Sequence, residues 1–295
     1  MKIIDTTTYF EEDMVMDVRF NVLNEYVDKF IVCEANYSHS GKKKNINFDK
    51  SNFPKFKNKI IHLVLEDEPK NLEDESSGEP HIQRSNSVKR INYQRDYISN
   101  YLKDFDDEDF IMYSDNDEIP NLKDINFKKL KSKIILFKQK TFYYKLNLLH
   151  PLLNWFGTKC CKKKDLKNIT WLRSIKNKKY NFLRLDVLFS ELKYMNINII
   201  DNGGWHFTNL KTPEDLLKKY LNDEMHSEFK LRNIGLDEIK RLMNKQVVGY
   251  NHFIDSTASN LEKHSTEFQL EKIDINFLPK YIVQNSSKFK DWILE

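Results

Sequence analysis

Asp109-Phe110-Ile111-Met112-Tyr113-Ser114-Asp115-Asn116-Asp117-Glu118-Ile119-Pro120 sets an apolar, β-prone run against a cluster of carboxylates. Phe110 to Tyr113 reads as a buried strand, and Pro120 breaks the chain behind it. Asp115 and Asp117 therefore stand at the carboxyl end of that strand, the edge at which open α/β sheets bind their ligands. Two carboxylates one residue apart suit a hard divalent cation that a substrate's phosphates also hold. A calcium loop of the EF-hand kind is excluded. Its fifth and sixth places need Asp or Asn and then Gly, and they fall on Ile119 and Pro120.

Working outward, strands and helices alternate. Lys2 to Asp5 reads as a strand, and Glu12 to Tyr26 as a helix with Val15, Val18, Val22 and Tyr26 on one face. Phe30 to Glu34 and Lys59 to Leu65 are further strands, and His81 to Leu102 a long helix leading into Phe110. Short apolar strands alternating with helices predict an α/β fold, a mainly parallel central sheet flanked by helices. Residues 66–80 carry seven acids with Gly78 as a hinge, and read as a surface loop or a closing lid. The C-terminal half is irregular. Ile134 to Tyr144 and Ile197 to Asp201 read as strands, Leu236 to Met243 and Pro279 to Trp292 as helices. Thr212-Pro213-Glu214-Asp215 is a helix start, with Thr as N-cap and Pro at the first helical position. No repeat or linker divides the chain, so 1–295 is read as a single domain.

Composition narrows the function. Hydrophobic residues make up 40% of 295, enough for a large core. Only 7 glycines are present, and no dinucleotide-binding or Walker phosphate loop is among them. The net charge of +4 is too mild for a nucleic-acid binder. The local basic runs, Lys42 to Lys44, Lys162 to Lys164 and Lys176 to Lys179, read as solvated surface or as a rim for an anionic substrate or membrane. No run is long enough to span a bilayer, and Met-Lys-Ile-Ile-Asp does not open a signal peptide. Peripheral membrane association is compatible with this. Cys33, Cys160 and Cys161 lack zinc spacing and pair poorly as disulfides, which places the protein in the cytoplasm.

A second constellation is Gly203-Gly204-Trp205-His206-Phe207, just after a strand. The glycines permit unusual backbone angles and close approach. His206 reads either as a core histidine or as a ligand that joins the Asp-x-Asp pair on a metal.

Together these blocks resemble glycosyltransferase family 17, which includes the enzyme that adds the bisecting N-acetylglucosamine to N-glycans. The first block is Ile4-Asp5-Thr6, Tyr9-Phe10-Glu11-Glu12, Arg19 and Val27 to Glu34, followed by Ser40-Gly41 and Lys44. The second is Gln94-Arg95-Asp96 and then Asp109 to Pro120; the third is Gly204 to Phe207; Pro279 to Asn285 is a weaker fourth. No membrane anchor like the animal enzyme's is seen, and residues 141–200 match little.

The resemblance implies a GT-A fold, a UDP-sugar donor with UDP-GlcNAc favoured, Mn²⁺ or Mg²⁺, and inversion to a β-linked product. The acceptor would be a carbohydrate or lipid-linked glycan. Residues 1–120 would bind the nucleotide sugar and 121–295 face the acceptor. Asp117 is then a metal ligand, Asp115 a ligand or donor contact, and His206 the third ligand. Glu34, Lys44 and Arg95 are expected at the donor. Glu34 is alternatively a solvated strand end, and Arg95 a surface salt bridge. Glu12 and Arg19 are either a structural pair or part of the site. Glu118 and Glu228 are the candidates for the general base. Two rivals are a metal-dependent nucleotidyl or phosphoryl transferase, using the same carboxylates, and a non-catalytic carbohydrate-binding protein.

Overall fold

The computed structural model describes residues 1–181, 183–223, 226, 229, 234–254 and 259–295. Its first half is β1 (Ile3–Tyr9), α1 (Asp13–Leu23), β2 (Lys29–Ala35), β3 (Ile60–Leu65), α2 (Pro80–Ser99) and β4 (Phe110–Tyr113). There follow β5 (Glu118–Pro120), β6 (Ile134–Phe137), β7 (Gln139–Tyr143), β8 (Leu148–Trp155) and β9 (Lys159–Lys162). Next come α3 (Ile169–Ser174), β10 (Ile197–Ile200), β11 (Gly204–Thr208) and α4 (Pro213–Tyr220).

A seven-stranded sheet runs β10-β6-β9-β4-β1-β2-β3. β1 pairs in parallel with β2 and β4, β2 with β3, and β6 with β10. β9 runs antiparallel between β4 and β6, so the sheet is mixed. A second sheet has the order β8-β7-β11-β5, with the short strand Glu271–Lys272 beyond β8.

Alternation along β2 feeds both faces of the first sheet. Phe30 and Val32 join α1 in one core with Phe20, Phe48 and Phe56. Ile31 and Cys33 join Ile98 of α2 and Leu172 of α3 in the other. Each such fully buried Phe or Ile stabilises the fold by about 1.5–3 kcal/mol relative to exposure. No helix among the described residues is long and apolar enough to cross a membrane.

Several elements differ from the sequence reading. Pro120 does not end the ordered chain but closes β5, which pairs with β11 at the edge of the second sheet, where a missing N–H is tolerated. Ile134 to Tyr144 is two strands in different sheets, because the backbone crosses over at Lys138. Pro279 to Trp292 divides into a helix at Lys280–Gln284 and a 3-10 turn at Ser286–Trp292. Asn285, Ser286 and Ser287 lie at that break, and such side chains compete with helical hydrogen bonds. The Thr212 cap forms as read, accepting from the Asp215 N–H at 3.2 Å.

The acidic segment 66–80 is pinned along α2. Arg90 pairs with Glu68 at 2.5 Å and Glu75 at 3.3 Å, and Asn86 exchanges two 2.8 Å hydrogen bonds with the Glu73 backbone.

Candidate functional site

β4 delivers Ser114 to Asp117 into a tight turn that β5 closes. The Glu118 N–H donates to the Asp115 carbonyl at 3.0 Å, and the Asp115 N–H to Glu118 Oε2 at 2.8 Å. Arg19, fully buried on α1, staples this turn from beneath. Its Nε donates to Asp5 Oδ2 at 2.8 Å and its Nη2 to Ser114 Oγ at 2.7 Å. Its Nη1 reaches the carbonyls of Glu118 at 2.9 Å and Asp115 at 3.3 Å. A buried guanidinium is tolerable only when its donors are filled this way. Arg19 thus pairs with Asp5 rather than Glu12. Glu12 turns instead to the cleft above, accepting from Asn116 Nδ2 at 2.6 Å with Lys211 at 3.4 Å.

That cleft holds about 320 Å³ and is lined by Glu12, Arg95, Asp115, Asp117, Glu118 and His206, among others. Asp115 is held by two arginines: Arg95 Nη2 at 3.1 Å on Oδ1 and Arg173 Nη2 at 2.8 Å on Oδ2, with the Tyr113 hydroxyl at 2.8 Å. Burial opposes its ionisation, but Arg173 and Arg95 override burial and hold the carboxyl far below the usual range. Arg95 is therefore not a surface salt bridge but part of the cleft wall. It positions Asp115.

Glu118 is buried and turned inward. Oε1 accepts from Trp155 Nε1 and from Arg173 Nη2 at 2.9 Å, while Oε2 holds the Asp115 N–H. Burial pushes its carboxyl up against the pull of Arg173. A side chain with both oxygens engaged fastens the turn and is poorly placed to take an acceptor's proton.

Asp117 is the carboxylate left facing His206. Their Oδ1 and Nε2 atoms lie 3.7 Å apart. That is too long for a hydrogen bond and within reach of one cation bonded to both at about 2.1 Å. β11 fixes this approach, because the Phe207 N–H donates to the Asp117 carbonyl at 2.8 Å. His206 stacks on Trp155 with centroids 5.2 Å apart, and its buried Nδ1 has no partner among the described residues. Packing therefore holds the ring. Burial opposes ionisation of Asp117, but His206 and Lys219 together hold the carboxyl below its usual range. No three His, Cys, Asp or Glu side chains form a metal cage among the described residues. Asp117 and His206 would supply two ligands to a divalent ion, a number that suits an ion keeping waters and sharing a substrate's phosphates.

The glycines behave as read. Gly204 has φ +120°, and a Cβ there would lie 2.2 Å from the Ile119 carbonyl oxygen, so only glycine lets β11 lie on β5. Gly157, which carried no signal in the sequence, does the same for Glu118: a Cβ there would meet Cδ at 2.3 Å.

Other expected residues lie elsewhere. Glu34 is neither a donor contact nor a solvated strand end. It is fully buried, and it accepts from Lys44 Nζ and from the Asn47 and Phe48 N–H groups at 2.8 and 2.9 Å. Glu34 and Lys44 thus fix the 44–48 turn, and neither lines the cleft. Glu228 lies outside the described residues.

Arg173 and Trp155 come from the stretch without a recognisable motif. α3 carries Arg173, and Lys159 of β9 anchors the end of α3 through the Arg173 carbonyl at 2.6 Å and the Ile175 carbonyl. Burial, and then Arg173, pull the Lys159 ammonium down to about 7. Its unfolded value is about 10.4, so between those limits the unfolded chain binds more protons and stability rises with pH. Urea midpoints of wild type should rise from pH 7 to 9.5 relative to Lys159→Met. Parallel pH dependence in the two proteins would show Lys159 charged throughout.

A second cavity, of about 380 Å³, adjoins the cleft through three shared lining residues, Trp155, Lys219 and Asp223. Its walls include Tyr143, Tyr220, Tyr250 and His252. Tyr143 and His252 are joined by a 2.6 Å hydrogen bond, and burial lowers His252 to about 4, so it is neutral. At its rim, Arg241 neutralises Glu238 at 2.7 Å and Glu267 at 2.5 Å.

No curated protein matches the chain at a significant level. A sequence model of glycosyltransferase family 17 matches residues 1–167, which include Arg19, Asp115, Asp117, Glu118 and Trp155. With more than half of its 295 residues matched, including the turn that Arg19 staples, the chain belongs to glycosyltransferase family 17.

Proposed function

We propose that this glycosyltransferase is inverting, metal-dependent and of GT-A type, and moves a sugar from UDP to a hydroxyl acceptor with a β-linkage. N-acetylglucosamine is favoured by the resemblance alone. The observation that carries the reading is the 3.7 Å approach of Asp117 and His206 on the wall of the cleft. A divalent ion, Mn²⁺ or Mg²⁺, held there would offset the charge that develops on the departing diphosphate. Asp117 and His206 would hold it. Lys219, whose ammonium sits 3.0 Å from Asn209 Oδ1 on the facing wall, supplies a cation for the phosphates. Asp115 orients the turn through its two arginines.

Inversion needs one base, placed on the acceptor side. With Glu118 committed to the turn, Asp223 takes that role, because it lines both the cleft and the aromatic cavity. The aromatic walls and the neutralised rim suit an uncharged sugar stacked on Tyr rings as acceptor. Free, buried Cys33, Cys160 and Cys161 support a reducing compartment, the cytoplasm.

Calorimetric titration with UDP tests the donor half: binding should need Mn²⁺ or Mg²⁺, and equal affinity in EDTA would end the metal reading. For the acceptor half, Asp223→Asn should lower transfer by about 10²–10⁴-fold with UDP affinity unchanged. Wild-type transfer would remove Asp223 from the chemistry, and a parallel loss of UDP affinity would reassign it to the donor.

A further inference from the structure

The stretch between α3 and β10 bears an apolar patch that the cleft does not use. Leu183, Leu185, Leu188 and Phe189 are 72%, 68%, 62% and 89% exposed. Large apolar side chains scattered singly over a surface need no explanation, whereas four within seven positions do.

The segment is built rather than frayed. Val187, in the 3-10 turn Leu185–Val187, is buried and anchors the patch from within. The Glu191 carbonyl accepts from Trp171 Nε1 at 2.9 Å, and the Lys176 N–H donates to the Leu192 carbonyl at 2.9 Å. Leu185, Leu188 and Phe189 are thus exposed on a stretch anchored at Val187, Glu191 and Leu192.

Charge decides the occupant. Residues 176–193 contain five Lys or Arg and two acids, a net +3. Both acids are already paired: Asp186 with Arg184 and Lys193, each at 2.7 Å, and Glu191 with Lys167 at 2.7 Å. Lys176, Lys178 and Lys179 pair with no carboxylate among the described residues, so their charge faces outward. Tyr180 lies among these cations, with Lys178 at 5.6 Å and Arg184 at 5.8 Å from its ring. Leu and Phe tips with a Tyr and a lysine collar are the composition that enters the headgroup boundary of a membrane while the cations meet anionic lipid. A protein partner would equally cover the leucines, but three unpaired lysines beside them favour a surface dense in negative charge.

We propose that residues 176–193 are a membrane-docking loop that inserts Leu185, Leu188 and Phe189 into the headgroup layer of an anionic bilayer. This stands independently of the donor, metal and base assignments. The test is co-sedimentation of the full chain with vesicles of equimolar phosphatidylglycerol and phosphatidylcholine, against pure phosphatidylcholine. Wild type should pellet with the anionic vesicles and be released by salt. Lys176→Gln/Lys178→Gln/Lys179→Gln should lose about fivefold in partitioning per lysine. Leu185→Ser/Leu188→Ser/Phe189→Ser should lose binding while keeping its melting temperature, since these side chains are largely exposed. Absence of wild-type binding to anionic vesicles, or full binding by the serine variant, would overturn the proposal. So would equal binding to both vesicle types. If the serine variant instead turns a dimer into a monomer by sedimentation velocity with vesicle binding unchanged, the patch joins two copies of the chain and the membrane reading fails.

Discussion

Asp117→Ala is expected to abolish sugar transfer, by about 10³-fold or more, in a protein that stays folded. Among the described residues the side chain makes no hydrogen bond, and it faces His206 at 3.7 Å, so its removal leaves no buried donor orphaned. What disappears is one of the two ligands proposed for the divalent ion. Asp117→Asn keeps the volume and should be nearly as inactive. His206→Ala should weaken metal and UDP binding together. If the His206 variant only lowers the melting temperature and metal dependence survives, the histidine is a packing residue against Trp155. Near-normal turnover by Asp117→Ala would remove the metal assignment altogether.

Arg19→Met should destabilise the protein by about 3–5 kcal/mol, which for a chain of this size means a melting point lower by roughly 6–15 °C. The guanidinium has no exposure and joins Asp5, Ser114 and the carbonyls of Glu118 and Asp115. Removing it strands the Asp5 carboxylate in the core and frees the turn that carries both acids. Thermal melting of Arg19→Met against Arg19→Met/Asp5→Leu separates the two effects. The double variant should recover part of the stability, since no buried charge is left unpaired, and little of the activity. Recovery of both would mean that the turn holds its shape without the staple.

The strand-end acids were legible because an apolar run followed by carboxylates and a proline allows few other placements, and β4 with its turn is what forms. Gly204 and His206 were legible for a similar reason: two glycines after a strand mark a close approach, here to the Ile119 carbonyl. Arg173 was not. It binds Asp115 from 58 positions along the chain, and a lone arginine on a six-residue helix leaves no periodic trace. Glu34 shows the opposite failure. Its place at a strand end suggested a ligand contact, yet it folds back on Lys44 and two backbone N–H groups, a choice made by the 44–48 turn rather than by the strand. Glu118 followed the motif in position, but both of its oxygens are engaged, because Trp155 and Arg173 close on it from a stretch without a recognisable motif. The reversed strand β9 was hidden for want of any pattern in Lys159-Cys160-Cys161-Lys162 beyond its burial.

The most direct measurement is the release of free nucleotide from a panel of nucleotide sugars, with Mn²⁺, with Mg²⁺ and with EDTA, and without acceptor. If the cleft at Asp117 and His206 is a metal-dependent donor site, one UDP-sugar, with UDP-GlcNAc the first candidate, should be slowly hydrolysed to UDP only when metal is present, and Asp117→Ala should not release it. UDP release that continues in EDTA, or pyrophosphate release from a nucleoside triphosphate in place of it, would contradict that reading.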